Sequence, residues 1–187
     1  MRETDAQRDT PAQLIRAACE QGRLPAKAEL LRSLQARPVG PEALAPTLDQ
    51  LEEELASALA DDPELVIVSG PDGEKFYRHV GLMSATYADI LAGKNAPCLL
   101  IAQTVRKNSQ EYPRPIALDI FEYPPFELDA QLIQTCLQSM AADAAFDDIS
   151  FVESSAGTVY LYSTTYLDRN YAAFLAERLD VDLALNP

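Results

Sequence analysis

The chain has no tryptophan, one histidine, seven glycines and three cysteines, and each shortage narrows the chemistry available to it. His79 has no second histidine with which to build a zinc site or a His-assisted Ser or Cys nucleophile. The few glycines fall mostly in turns and leave little material for a phosphate-cradling loop. GxxxxGK[ST], GxGxxG, GxSxG, CxxC and HExxH are all absent. Cys19, Cys98 and Cys136 are far apart and odd in number, which reads as buried free thiols in a reducing cytoplasm rather than a disulfide framework. No run of about 18 or more apolar residues is present, so no membrane span or membrane partner is expected. The first nine residues are polar and lack the apolar core of a signal peptide, so they read as a flexible N-terminus and the chain as cytoplasmic.

Positive charge is scarce as well. Fifteen Lys and Arg stand against 29 Asp and Glu over 187 residues, a net charge of −14. The acidity is not a tail: residues 1–93 and 94–187 each net −7, and beyond Lys107 only Arg114, Arg169 and Arg178 are basic. Such a surface repels phosphate backbones and favours basic partners. Apolar residues make up 48%, enough for folded domains with cores of their own.

The first half reads as three helices and a hairpin. Thr10 caps a helix that opens on Pro11, buries Leu14, Ile15, Ala18 and Cys19, and ends at Gly22. A second helix opens at Pro25, turns Leu30, Leu31 and Leu34 inward, and is broken by Pro38, Val39, Gly40 and Pro41. A third runs over 46–60, with Leu48, Leu51, Leu55 and Leu59 on one stripe and Asp49, Glu52 and Glu53 opposite. Strands over 65–68 and 75–78 flank turn chemistry at Ser69, Gly70, Pro71, Asp72 and Gly73.

Three short helices and then a hairpin, over 10–82, resemble a winged helix-turn-helix domain. The resemblance makes helix 46–60 the recognition helix and the Gly70–Gly73 turn the wing. The sequence departs from DNA-binding members at that helix. Its exposed face carries Asp49, Glu52, Glu53 and Glu54, and no Lys or Arg lies between Arg37 and Lys75. A helix entering the major groove must pass phosphates, which four carboxylates repel. Protein contact or dimerisation is the use that fits. Lys75, Tyr77 and Arg78 form a cationic patch beside the wing, read either as an anion or acidic-peptide contact or as a strand edge guarded against pairing.

Residues 83–93 read as a connecting helix, and residues 94–187 as a second, ββαββα domain. Its strands are expected over 98–102, 116–122, 149–152 and 158–162. Between them a helix from about residue 127 buries Leu132, Ile133, Cys136, Leu137 and Met140. A last helix capped by Thr165 turns Tyr171, Phe174, Leu175 and Leu179 inward. The class is α+β, with an antiparallel sheet covered by helices on one face. With the connecting helix in front, the order resembles the acidic secretion-chaperone-like fold, a likeness of topology that transfers no catalytic residue.

No catalytic residue, cofactor or metal site follows from the sequence. Asp61 and Asp62 solvate a loop, as do Asp147 and Asp148, and Asp143, Asp147 and Asp148 lack an EF-hand pattern. Aromatic placement stands out instead. Tyr160 and Tyr162 leave one face of a strand, while Tyr123, Phe126 and Tyr166 cluster at strand ends. On an acidic surface these tyrosines make a candidate protein-binding patch. The reading is a non-enzymatic, cytoplasmic interaction or regulatory protein that self-associates and takes a protein partner, with a basic one favoured. The alternatives are a transcriptional regulator with a C-terminal ligand-sensing domain and a metal-dependent enzyme using acidic residues such as Asp119.

Overall fold

In the computed structural model, residues 10–37 and 45–185 are described. The expected flexible segment over 1–9 and the helix break at 38–41 lie outside the described residues. The chain divides into two compact units, Met1–Ala92 and Gly93–Pro187.

The first unit opens with α1 (Pro11–Glu20), α2 (Lys27–Gln35) and α3 (Leu48–Asp61). Two of these helices start on reciprocal caps. The Thr10 hydroxyl accepts from the Gln13 N–H while the Gln13 side chain accepts from the Thr10 N–H, and Thr47 and Gln50 repeat the arrangement. Strands β1 (Leu65–Ser69) and β2 (Lys75–His79) form an antiparallel hairpin in the register Leu65 to His79. Gly73 closes its turn at φ +83°, a conformation that a side chain would strain. The free side of β2 is not open: Ala26 bridges to Phe76, and the Tyr77 N–H donates to the Pro25 carbonyl at 3.0 Å.

Helix α4 (Ala85–Gly93) belongs to this unit's interior rather than to a linker. Met83, Ala88 and Ala92 are buried with Ile15, Leu30, Leu55, Leu65, Phe76 and Tyr77 in one core. The alanines supply the reason, since small side chains let a helix approach its neighbours closely.

The second unit differs from expectation at its first elements. Residues 98–102 are not a strand but the start of α5 (Pro97–Glu111). Pro97 sits at the first helical position, and the buried residues recur as Leu100, Ile101, Val105 and Ser109, a helical period. A five-residue apolar run is ambiguous between a buried strand and a buried helix, and here the period extends beyond the run. The strand expected over 116–122 is reduced to β3 (Ile116–Ala117), after which Leu118–Glu122 coils into a 3₁₀ turn that buries Phe121. Helix α6 (Ala130–Ala141) follows on the Asp129 cap, with Ile133, Cys136 and Met140 buried. Strands β4 (Ile149–Glu153) and β5 (Val159–Ser163) form the expected hairpin, and α7 (Arg169–Leu185) ends the unit.

The class is α+β, with small antiparallel sheets among helices. The order in the second unit is α5-β3-α6-β4-β5-α7 rather than ββαββα. Its three-stranded sheet has β5 in the centre, flanked by β3 and β4. Helix α7 covers one face through Ala172 and Ala176, packed on Val152, Tyr160 and Tyr162. Leu161, between the tyrosines, is buried on the opposite face, the side on which α5 packs. Helices therefore occupy both faces of the sheet, and not one as expected. No helix among the described residues is long and apolar enough to cross a membrane.

Candidate functional site

The outer face of α7 presents three exposed large apolar side chains, Tyr171, Phe174 and Val181. Asp168, and not the expected Thr165, caps the helix, its Oδ1 accepting from the Asn170 and Tyr171 N–H groups at 2.8 and 3.3 Å. The inner stripe is built of Ala172 and Ala176, both fully buried. Opposite lie Tyr171, Phe174, Arg178 and Val181, spaced three or four residues apart and so on one side of the helix. Tyr171 is 49% exposed, Phe174 56% and Val181 56%. From Tyr171 to Val181 the helix rises roughly 15 Å, the length of a helix-in-groove contact. Tyr171 and Phe174 thus face outward, where the sequence reading placed them inward. The reason is steric: the rings of Tyr160 and Tyr162 already fill the space above the sheet, which leaves room only for alanines beneath the helix.

The other expected aromatic patch is dispersed. Tyr160 and Tyr162 do leave one face of β5, but each is 1% exposed, sealed by α7, so neither lies on an open sheet surface. The Tyr160 hydroxyl donates to Asp180 Oδ1 at 2.6 Å. Burial first, then that hydrogen bond to a carboxylate, pushes its ionisation above the ordinary tyrosine value. Phe126 is buried edge-on against Phe121, with ring centroids 4.9 Å apart. Tyr123 and Tyr166 are exposed, as the surface reading requires of them.

The cationic patch of the first unit is likewise not a surface cluster. Lys75 is exposed, but Tyr77 is buried in the core, and Arg78 turns back to donate to the Met83 carbonyl at 2.7 Å. Successive strand side chains leave opposite faces, so Tyr77 and Arg78 point to different sides of β2 and do not form one patch with Lys75. Of the α3 carboxylates, Glu52 pairs with Lys27 and Glu54 with Arg37, each at 2.8 Å.

The acidic pairs also have structural occupations. Asp62 holds Arg16 at 2.7 Å, and Asp143 caps a 3₁₀ turn by accepting from the Ala145 N–H. Asp148 centres a network that residue order did not reveal. Arg106 of α5 donates to it from Nε at 3.0 Å and from Nη2, and the Ser163 hydroxyl donates at 2.7 Å. Arg106 also reaches the Ala145 carbonyl, and the Ser163 N–H donates to Ser109 Oγ at 3.0 Å. Those Arg106 bonds, with Ser163, hold the Asp148 carboxyl below its usual range against the opposing effect of burial. A carboxylate so paired supports the fold and does not wait for a cation. No group of three or more His, Cys, Asp or Glu among the described residues could hold a metal ion.

The sequence reading did not foresee that Cys98 and Cys136 meet. The sulfurs, 38 residues apart in the chain, lie 2.7 Å from one another across α5 and α6. The contact depends on Pro97–Glu111 being a helix that packs on α6.

The second unit is thus an α+β domain in which Tyr160, Asp148, Arg106 and Ser163 are tied into the fold by hydrogen bonds. Residues 95–184, nearly the whole of that unit, match the family described as the YdhW C-terminal domain. Over 152 residues the chain is 28% identical to the uncharacterized protein YdhW of Escherichia coli (strain K12), a similarity covering 77% of this chain and 70% of that protein. No solved structure matches.

Proposed function

We propose that this chain is a non-enzymatic, cytoplasmic interaction protein that takes a basic, amphipathic partner segment on the outer face of α7. One observation carries the reading: Tyr171, Phe174 and Val181 form an exposed apolar stripe on a helix whose opposite stripe is already buried. A helix apolar on both sides is stable in water at a cost that a partner removes. The net charge of −14 supports a cationic partner, because steering and specificity both follow complementary charge. The winged-helix reading of the first unit is supported by its three helices, its hairpin and the Pro25–Ala26 segment lying along β2. The exposed carboxylates of α3 support protein contact over duplex DNA as the use of that unit.

The test is fluorescence anisotropy with a labelled amphipathic Leu/Lys helical peptide titrated with the full chain. Saturable binding is expected, weaker by about tenfold or more, or ~1.4 kcal/mol, in the Y171S/F174S double variant at unchanged melting temperature. Equal affinity in the variant would remove the α7 face from the proposal.

Self-association is the second reading, and β4 favours it. It is an edge strand of the sheet, Phe151 on it is 63% exposed, and the pairing of Ser150 and Val152 with β5 turns the N–H and C=O groups of Ile149, Phe151 and Glu153 outward.

A further inference from the structure

We propose that Cys98 and Cys136 are a dithiol pair that a hydroperoxide closes into an intramolecular disulfide between α5 and α6. Their sulfurs are 2.7 Å apart, under an ångström longer than a bonded pair at about 2.05 Å. No other pair of reactive side chains in this unit is so placed among the described residues.

The two thiols differ in burial, and that difference sets the order of events. Cys98 is the second residue of α5 and only half-buried, so of the two thiols it is the more open to a small oxidant. Cys136 lies in the middle of α6 on the buried stripe, and burial, with the Cys98 sulfur beside it, pushes its thiol up to about 12. A thiol that resists ionisation is a poor first nucleophile but remains in place as the resolving partner. Cys19 is a bystander, buried in the core of the other unit where it accepts from the His79 N–H at 3.4 Å.

The oxidation then runs in two balanced steps. The Cys98 thiolate attacks one peroxide oxygen, the O–O bond breaks, and the departing oxygen takes a proton to leave as water or alcohol. Cys98 is left as the sulfenic acid. The Cys136 sulfur next attacks the Cys98 sulfur; the S–O bond breaks and the hydroxide leaves as water with the proton from Cys136. Two thiols have lost two electrons and two protons, and one hydroperoxide has taken them up to become water plus a second water or an alcohol.

The experiment treats the full chain with hydrogen peroxide, unfolds it, alkylates it with N-ethylmaleimide and measures intact and peptide masses. One alkylated thiol, Cys19, is expected where the untreated chain carries three, together with a Cys98–Cys136 cross-linked peptide that dithiothreitol dissolves. In Cys136→Ser the oxidation should stop at a Cys98 sulfenic acid that dimedone traps. In Cys98→Ser the Cys136 thiol should remain fully alkylatable after peroxide. Circular dichroism of both variants verifies folding, and the wild-type result does not depend on them. Three alkylatable thiols after peroxide, Cys98 over-oxidised beside an intact Cys136, or a disulfide joining two chains would each overturn the proposal.

Discussion

Tyr160 and Tyr162 show how far one covering helix changes what a side chain does. On an open sheet they would be contact residues whose loss leaves the fold intact. Beneath Ala172 and Ala176 they are the largest side chains of a core, and truncation leaves cavities. Tyr162→Ser should therefore cost on the order of 3–5 kcal/mol, and the thermal melt should record it without any change in oligomeric state. Tyr160→Phe keeps the ring and loses only the hydroxyl to Asp180, so it should cost about 1–2 kcal/mol. If Tyr162→Ser melted like the wild type, the packing of α7 on this sheet would be refuted. Asp148 makes the corresponding case for charge. Arg106 and Ser163 hold its carboxyl below the ordinary value, so the folded state binds that proton more weakly than the unfolded chain does. The stabilisation is present at neutral pH and is lost as pH falls below about 4, through the lowered native value. Asp148→Asn should flatten that acid limb and cost about 1.5–3 kcal/mol at neutral pH, read from urea melts at several pH values.

Among the elements, α1 and the β4–β5 hairpin are legible from their caps and turns, whereas the apolar run at 98–102 is not. Thr10 before Pro11, and Ser154 to Gly157 between two alternating runs, state their structure through short-range hydrogen bonding, and α1 and the β4–β5 hairpin stand where those signals place them. The run at 98–102 carries no such signal. Its helical identity depends on Val105 and Ser109, which lie beyond the run and point to the same interior as Leu100 and Ile101. The inward face of α7 was hidden for another reason. Two apolar stripes compete on that helix, and the larger side chains, Tyr171 and Phe174, are displaced by alanines because the sheet below is already filled by tyrosine rings. Both the candidate α7 site and the thiol pair were therefore beyond a reading of local pattern, since each depends on what another element places opposite. Substitutions can separate a buried helical stripe from an exposed one. Ile101→Ala on the buried face of α5 should cost about 2–5 kcal/mol. Phe174→Ser on the outer face of α7 should stay within about 0.5 kcal/mol in a thermal melt. A large loss from Phe174→Ser would mean that this face is covered within the folded chain.

Charge acts at the scale of the whole molecule, and it distinguishes the two kinds of association by the sign of their salt dependence. Each copy carries −14, divided equally between residues 1–93 and 94–187, so bringing two copies together concentrates like charge wherever they meet. Exposed charges interact over a Debye length of about 30 Å at 0.01 M ionic strength and about 8 Å at 0.15 M. Pairing through the β4 edge would be opposed at long range and held by backbone hydrogen bonds and Phe151 at short range. Raising ionic strength should then strengthen it, and the dissociation constant from sedimentation equilibrium should fall as salt is added. A cationic segment on α7 has the opposite balance: attraction brings it in, apolar contact with Tyr171, Phe174 and Val181 retains it, and added salt removes the first while sparing the second. Its affinity should fall with salt towards a plateau set by the apolar stripe, and the Y171S/F174S variant should lower that plateau more than it alters the salt slope. Arg178, within the same stripe, gives a further check. Arg178→Glu should raise affinity for the cationic peptide at low salt and leave β4-mediated self-association unchanged where added salt screens the two extra negative charges on each copy. A variant with wild-type affinity for the peptide at low salt would place the bound segment away from α7.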